Sequence, residues 1–478
     1  MGLGNKIFKG VVWSAIERLS VQTVQFIIGI YLARILSPNE YGILSILLVF
    51  IAISQVFIDS GFTKALIQKQ NRTETDISTV FLFNLGLSFL CYATLWVSSP
   101  FIAQFYNIEE LSLLLRVLSI SLILNAILTV PVTLYTIKLD FKKITQINLV
   151  TAIIAGLSAI YFAKIGYGVW ALVIQTLCKS GLTAILIWIG LHWKPTWSFS
   201  KASLKELFKF GSNLLVSSLL NTFVNKSYEL VIAKTNSTSD LGYYTRGTQF
   251  SDIVFAIINT IIDRVLLPGL AEVQDKIDIL VSYTQKILKI ASLLIVPFFL
   301  FLAVIAEPLI RVLLTDKWLL AVPIMQIFCI ARLITILSGI NVNILYVLGR
   351  TDLALKQQYI KIAIRIIFLV IALKFGIIYI ALAELASTIV HFFINTYHPG
   401  KIMKYGGLKQ LSDLSPIIIS GLAMSTCVYF LNTLIENDIL KLLASPFLAI
   451  ISYIIFIQLF KVEEFSMLIK KVKSRIKK

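Results

Sequence analysis

Seven cations stand inside stretches of otherwise apolar sequence: Arg18, Arg116, Lys179, Lys226, Arg246, Arg332 and Arg365. Acids share these stretches, among them Glu17, Asp59, Glu229, Asp252, Asp263 and Glu384. A charge at the centre of a membrane helix costs about 2.5–3.5 kcal/mol, so such residues face a partner or a water-filled cavity. Lys226 and Glu229 are three residues apart and can pair on one helix face. Asp59 and Asp263 fall near an expected membrane boundary and read as interfacial. Lys179, Arg332 and Arg365 lie mid-span with no acid three or four residues away. Two readings stay open for them. They pair across helices, with Glu17 or Asp252, or they line a basic cavity. Such a cavity would favour an anionic cargo such as a phosphate or diphosphate, because arginine chelates phosphate oxygens in pairs and lysine offers a point charge. Glu17, Asp252 and Glu229 are then the candidates for coupling to H+ or Na+.

No catalytic constellation accompanies these charges. His192, His391 and His398 fall at expected membrane edges. There are no paired carboxylates in an extramembrane site, no phosphate-cradling glycine loop and no nucleophile elbow. Without a nucleotide site, any transport is passive or coupled to an ion gradient, and neither metal nor organic cofactor is expected. Cys91, Cys178, Cys329 and Cys427 lie far apart, each in an apolar run, and read as buried small hydrophobes.

The elements that must carry these residues are membrane helices. Of 478 residues, 58% are hydrophobic and 14% charged, with a mean hydropathy of +0.87. No soluble domain of this length can wet such a surface. The apolar residues fall in runs of roughly 20, the length that spans a bilayer as helix. Fourteen spans are expected, near 10–33, 42–63, 78–101, 112–135, 145–163, 168–191, 210–233, 243–263, 287–306, 320–347, 358–373, 377–396, 415–434 and 441–460. Twelve remain if two weak ones fail. The domains read as an N-terminal lobe over 1–196, a linker over 197–209, a second lobe over 210–396, an accessory helix pair to 460 and a basic tail over 461–478.

Alternate loops hold 29 of the 43 basic residues on one side and seven on the other. That bias places both termini in the cytoplasm and explains the net charge of +18 without nucleic acid. Lys361 counts among the cytoplasmic loop residues in this scheme. The first apolar run is too long for a cleavable signal. The connector His192–Lys209 reads as an amphipathic interfacial stretch or, more plainly, a linker anchored by its tryptophans. The tail KKVKSRIKK suits anionic lipid headgroups.

Leu32 to Gly42, LARILSPNEYG, returns two hundred residues later as IAKTNSTSDLG, ending at Gly242. Ala33 falls on Ala233, Arg34 on Lys234, Ser37 on Ser237 and Glu40 on Asp240, and Phe8-Lys9 falls on Phe208-Lys209. Matched basic, hydroxyl, acidic and glycine positions mark an internal repeat. Two similar membrane halves are the usual architecture of a transporter.

LARILSPNEYG resembles the first periplasmic turn of polysaccharide-export flippases, the Wzx-type branch of the multidrug/oligosaccharidyl-lipid/polysaccharide exporter superfamily. FIDSGFTKALIQKQNRTETDISTVFLFNLG, from Phe57 to Gly86, is similar to that family's segment between helices two and three. RVLLPGLAEVQDKIDILVSYTQKIL, from Arg264 to Leu288, resembles its crossing after helix eight, and Arg350 to Asp352 its turn after helix ten. The resemblance covers essentially the whole chain, and the subfamily it suggests is the one containing colanic-acid and teichuronic-acid exporters. It implies an all-α integral membrane protein of about fourteen helices, with two pseudo-symmetric six-helix lobes around a central cavity plus a C-terminal pair. It implies alternating access in the bacterial cytoplasmic membrane, with an undecaprenyl-diphosphate-linked oligosaccharide as cargo. Membrane lipids, and a polysaccharide polymerase beside the protein, are the further candidate partners. Gly42 and Gly242 then stand as hinges at the repeat seam or as rigid turns. A drug or cation antiporter of the same superfamily is the competing reading, though such cavities tend to be acidic. A glycan polymerase is a weaker alternative, because the long periplasmic loop it needs is missing.

Overall fold

The computed structural model describes residues 3–467 apart from Ser60, His192, Glu272, Gln274 and Asp275. The side chains of 3–12, 15, 18, 64, 209–211, 213, 214, 217, 261, 263–269 and 271 also lie outside the described residues. Arg18, Asp263 and the first basic residues of the repeat, Lys9 and Lys209, belong to that set. The described residues form α-helices and contain no strand.

The helices are α1 (Leu3–Ile35), α2 (Pro38–Asp59), α3 (Phe62–Gln68), α4 (Glu74–Tyr106), α5 (Glu110–Leu118) and α6 (Ile120–Ile137). Next come α7 (Phe141–Lys164), α8 (Val169–Gly190), α9 (Lys201–Thr235) and α10 (Thr238–Ala271). The chain continues through α11 (Ile277–Val304), α12 (Ala306–Leu314), a 3₁₀ turn (Asp316–Ala321), α13 (Val322–Val347) and α14 (Thr351–Ala372). It closes with α15 (Ile377–Met403), α16 (Gly407–Leu434) and α17 (Asp438–Leu459).

Every expected span coincides with helix, but fewer than fourteen pass as crossings on their own terms. Among the described residues, ten helices are long and apolar enough to cross a membrane. Helix α14 fails because Lys356, Lys361 and Arg365 crowd its 22 residues. The fourth expected span carries a turn at Ser119, where α5 ends and α6 begins, yet Glu110–Ile137 as a whole is one of the ten. Nor are all four cysteines buried: Cys329 is, whereas Cys91, Cys178 and Cys427 are partly exposed. A lipid-facing side chain needs no cover from protein, so an apolar neighbourhood in sequence does not imply burial.

Contacts divide the chain into two compact units, Met1–Gly242 and Tyr243–Lys478. In the first, α7 lays a stripe of buried small residues, Ala152, Ala155, Gly156, Ala159 and Ala163, where α1 packs against it. Small residues let membrane helices approach closely. A Cβ on Gly156 would stand 1.9 Å from Ile28 Cδ1, so a larger residue fits only if the Ile28 side chain turns away. In the second unit, α13 packs on α15 and α11 on α16. Gly421 makes the close approach there, since its Cβ would fall 2.8 Å from Val296 Cγ1.

The connector before α9 is a linker anchored in part by a tryptophan, Trp193. It runs extended and is pinned to the first turns of α4. Trp193 Nε1 donates to Glu74 Oε2 at 2.8 Å, Thr196 N to Ser78 Oγ at 3.1 Å and Ser200 N to Thr79 Oγ1 at 3.0 Å. Phe81 meets the edges of Trp188 and Trp193, with ring centroids 5.9 and 5.8 Å away. Helix α9 starts at Lys201, inside the stretch expected to be connector, with Ser200 capping it through Ser203 N. Lys69 bridges Asp76 and Glu206, both at 3.0 Å. Those two carboxylates, Glu206 first, hold its ammonium above the usual lysine range.

Candidate functional site

Among the described side chains, three of the mid-span cations sit in ion pairs. Lys226 reaches Glu229 on its own helix at 2.6 Å. Arg332 Nε on α13 donates to Asp252 Oδ1 on α10 at 2.5 Å, with its guanidinium over Phe328 and Phe255, 5.2 and 5.4 Å from the ring centres. Arg365 on α14 grips Glu384 on α15 with two donors, Nε to Oε2 at 3.0 Å and Nη2 to Oε1. The Glu384 side chain is 4% exposed and that of Asp252 43%. The two arginines are equally exposed, at 20%, so the pairs differ in how deeply the acid is buried.

Two more make contacts with neutral groups. Arg116 Nε on α5 donates to Ser99 Oγ at 2.8 Å, and its guanidinium lies 4.8 Å over Trp96. Arg246 donates to Gln249 and lies 5.9 Å from the Trp318 ring centre. Lys179, at the midpoint of α8, has no hydrogen-bond or ion-pair partner among the described residues. The Arg18 side chain lies outside them. The acids are engaged too: Glu17 Oε1 accepts from Asn148 Nδ2 at 2.6 Å, across α1 and α7. The structure thus gathers these residues into separate polar nodes within each unit, not into one described cluster.

A cavity of about 350 Å³ in the second unit collects residues that sequence reasoning passed over. It is lined from α10 by Asn259, from α13 by Ser338 and Tyr346, from α14 by Lys361 and from α15 by His391 and Asn395. Lys361 counted as a loop cation, yet α14 begins at Thr351 and carries it more than two turns into the helix. His391 counted as an edge residue but lies mid-way along α15. Its Nε2 is 3.0 Å from the Lys361 carbonyl oxygen, which can only accept, so Nε2 carries the proton and donates. The available signal was the helical spacing Lys361, Arg365 on one face of α14. Nothing local, however, says that α15 lies opposite.

At the repeat seam the matched residues do matching work. Ser37 N and Oγ donate to Glu40 Oε2 at 2.5 and 2.7 Å, and Glu40 N returns to Ser37 Oγ at 3.4 Å. Ser237 N and Oγ donate to Asp240 Oδ2 at 3.1 and 2.8 Å, and Asp240 N returns at 3.0 Å. Each is a capping box that satisfies the free N–H groups at a helix start. Gly42 then packs on the Thr238 backbone and Gly242 on that of Pro38. A Cβ on Gly42 would stand 1.8 Å from the Thr238 carbonyl oxygen, and one on Gly242 would stand 1.9 Å from that of Pro38. Since Pro38 and Thr238 are equivalent positions, the contact is self-complementary, as at a local two-fold axis.

Comparison with known proteins adds the class. The profile of the polysaccharide biosynthesis protein family matches residues 31–323. The chain belongs to that family. The Teichuronic acid biosynthesis protein TuaB of Bacillus subtilis (strain 168) is 27% identical to this family member over 352 residues, 73% of each chain. The Lipopolysaccharide biosynthesis protein WzxC of Escherichia coli (strain K12) is 25% identical over 367 residues, 76% of this chain and 74% of its own. The fold of this polysaccharide biosynthesis protein is similar to that of a solved structure described as Lipid II flippase MurJ, inward closed conformation. The TM-score is 0.74 at 15% identity, over 94% of this chain and 98% of that one. The family match takes in both halves of the seam and ends before Arg332, Lys361, Arg365 and His391.

Proposed function

We propose that this polysaccharide biosynthesis protein is a flippase. Its cargo is an undecaprenyl-diphosphate-linked oligosaccharide repeat unit, carried across the bacterial cytoplasmic membrane by alternating access. The observation that carries the reading is the coincidence of a polysaccharide-biosynthesis family match with the fold of a lipid II flippase along nearly the whole chain. Both termini stand on the cytoplasmic side in this reading, and a polysaccharide polymerase takes up the delivered unit. The repeat seam supports a pivoting motion: the two helix starts meet through bare backbone, Gly42 on Thr238 and Gly242 on Pro38, with one side-chain hydrogen bond, Thr238 Oγ1 to Asn39 Oδ1, across the contact. Lys179 is the cation best suited to meet a diphosphate, since no protein carboxylate competes for it among the described residues. Coupling to H+ or Na+ falls to Glu17, held by one neutral amide, ahead of Asp252 and Glu229, whose charges are already answered by cations.

Deleting the gene and quantifying lipid-linked oligosaccharides by mass spectrometry, together with surface polymer, tests this. The expected result is accumulation of one complete lipid-linked repeat unit and loss of one surface polysaccharide. Unchanged lipid-linked pools with altered sensitivity to cationic drugs would overturn it in favour of an antiporter.

A further inference from the structure

The cavity of the second unit is polar on every wall. Hydroxyls come from Ser338 and Tyr346, amides from Asn259 and Asn395, and a cation from Lys361. Asn395 is only 6% exposed, yet its Oδ1 has no hydrogen-bond partner while its Nδ2 donates to Ser338 Oγ at 2.7 Å. A buried acceptor left unpaired costs about 1–3 kcal/mol, which a ligand hydroxyl would recover. The positive charge is uncompensated as well. Arg365, one turn along α14, consumes Glu384 through both its oxygens, and Lys361 has no ion-pair or side-chain hydrogen-bond partner among the described residues. Tyr346, 48% exposed, adds an aromatic ring to the lining, a surface on which an apolar sugar face can lie. The volume equals that of about a dozen waters, which suits one sugar residue and not an oligosaccharide. It also falls within the usual range for small-ligand sites, about 300–1,000 Å³.

We propose that this cavity binds a single sugar residue bearing a negative charge, a carboxylate or a phosphate, with Lys361 answering the charge and Asn395 accepting from a ring hydroxyl. The proposal rests on the flippase reading for its source of sugar: the site would read one acidic residue of the glycan and so select the cargo. It concerns residues beyond those the family profile matches, apart from Asn259.

The test titrates the purified full-length protein in detergent with glucuronate, glucose 6-phosphate and glucose, following binding by ligand-observed NMR. Glucuronate or glucose 6-phosphate is expected to bind about ten- to hundredfold more tightly than glucose, the size of a charge-assisted hydrogen bond. Whichever anion wins separates carboxylate from phosphate recognition. Lys361→Gln should erase the preference and leave glucose unchanged, while Lys361→Arg keeps it. Asn395→Leu should weaken all three sugars together, which keeps the assignment testable if Lys361→Gln does not fold. Equal binding of charged and neutral sugars by the wild type, no binding at all, or a preference that survives Lys361→Gln overturns the assignment. These titrations do not depend on flipping. Failure here alongside lipid-linked accumulation in the deletion strain condemns the cavity alone; charged-sugar binding without accumulation condemns the flippase alone.

Discussion

Helix α8 of the first unit and α14 of the second each carry cations into an apolar environment, and they end differently. Lys179 on α8 meets no carboxylate, because α6 and α7, the helices it packs on most extensively, contain no Asp or Glu. On α14, Arg365 meets Glu384 because α15 lies alongside and brings that acid to its level. The same residue class is thus neutralised or left charged according to one side chain on a neighbouring helix. Pairing makes Arg365 and Glu384 a scaffold. Its absence leaves Lys179, and one turn from the pair Lys361, available to a ligand.

The largest expected effect comes from breaking the scaffold. Glu384→Gln strands a partly buried guanidinium and should cost up to about 3–5 kcal/mol, read as a lowered melting temperature in detergent and reduced membrane abundance. Adding Arg365→Gln should restore most of it. A double variant as unstable as the single one would mean that the two residues do not act as a pair.

Lys179→Gln sharpens the other side of the comparison. Removing an unpaired charge should leave stability unchanged or raise it, by no more than the roughly 2.5–3.5 kcal/mol that charge costs at a helix centre. Export of the glycan should fall at normal protein level. A destabilised Lys179→Gln protein would show that the lysine is a structural member after all.

Gly242→Ala forces a Cβ onto the Pro38 carbonyl and should cost about 1–3 kcal/mol by overpacking. Gly42→Ala should cost the same within error, because the contact is reciprocal; unequal melting shifts would break the two-fold reading of the seam. Smallest are the caps. Ser37→Ala and Ser237→Ala should each lower stability by about 1 kcal/mol, again as a matched pair in thermal melts.

How much of this was legible beforehand follows from where the information sits. The membrane class, the helices and the seam were readable because they depend on local properties: apolar length, loop charge and the recurrence of Ser37, Glu40 and Gly42 as Ser237, Asp240 and Gly242. The capping boxes were readable as well from the Ser-x-x-Glu and Ser-x-x-Asp spacing, although the repeat drew attention to the match and not to its mechanism. The Lys226–Glu229 pair, three residues apart, also followed from spacing.

What tertiary structure alone decided is which distant residues share a level in the bundle. Arg332 could have met Glu17 or Asp252 as far as sequence goes, and helix packing chose Asp252. Glu384 as the partner of Arg365, the burial of Cys329 alone among four cysteines, and the meeting of Lys361 with His391 were equally invisible. A helix of 3.6 residues per turn fixes the face a side chain takes on its own axis. The rotation and depth of the neighbouring helix, which determine what that face meets, are set by the fit of small residues such as Gly156 and Gly421 against a partner whose place in the chain gives no hint of it.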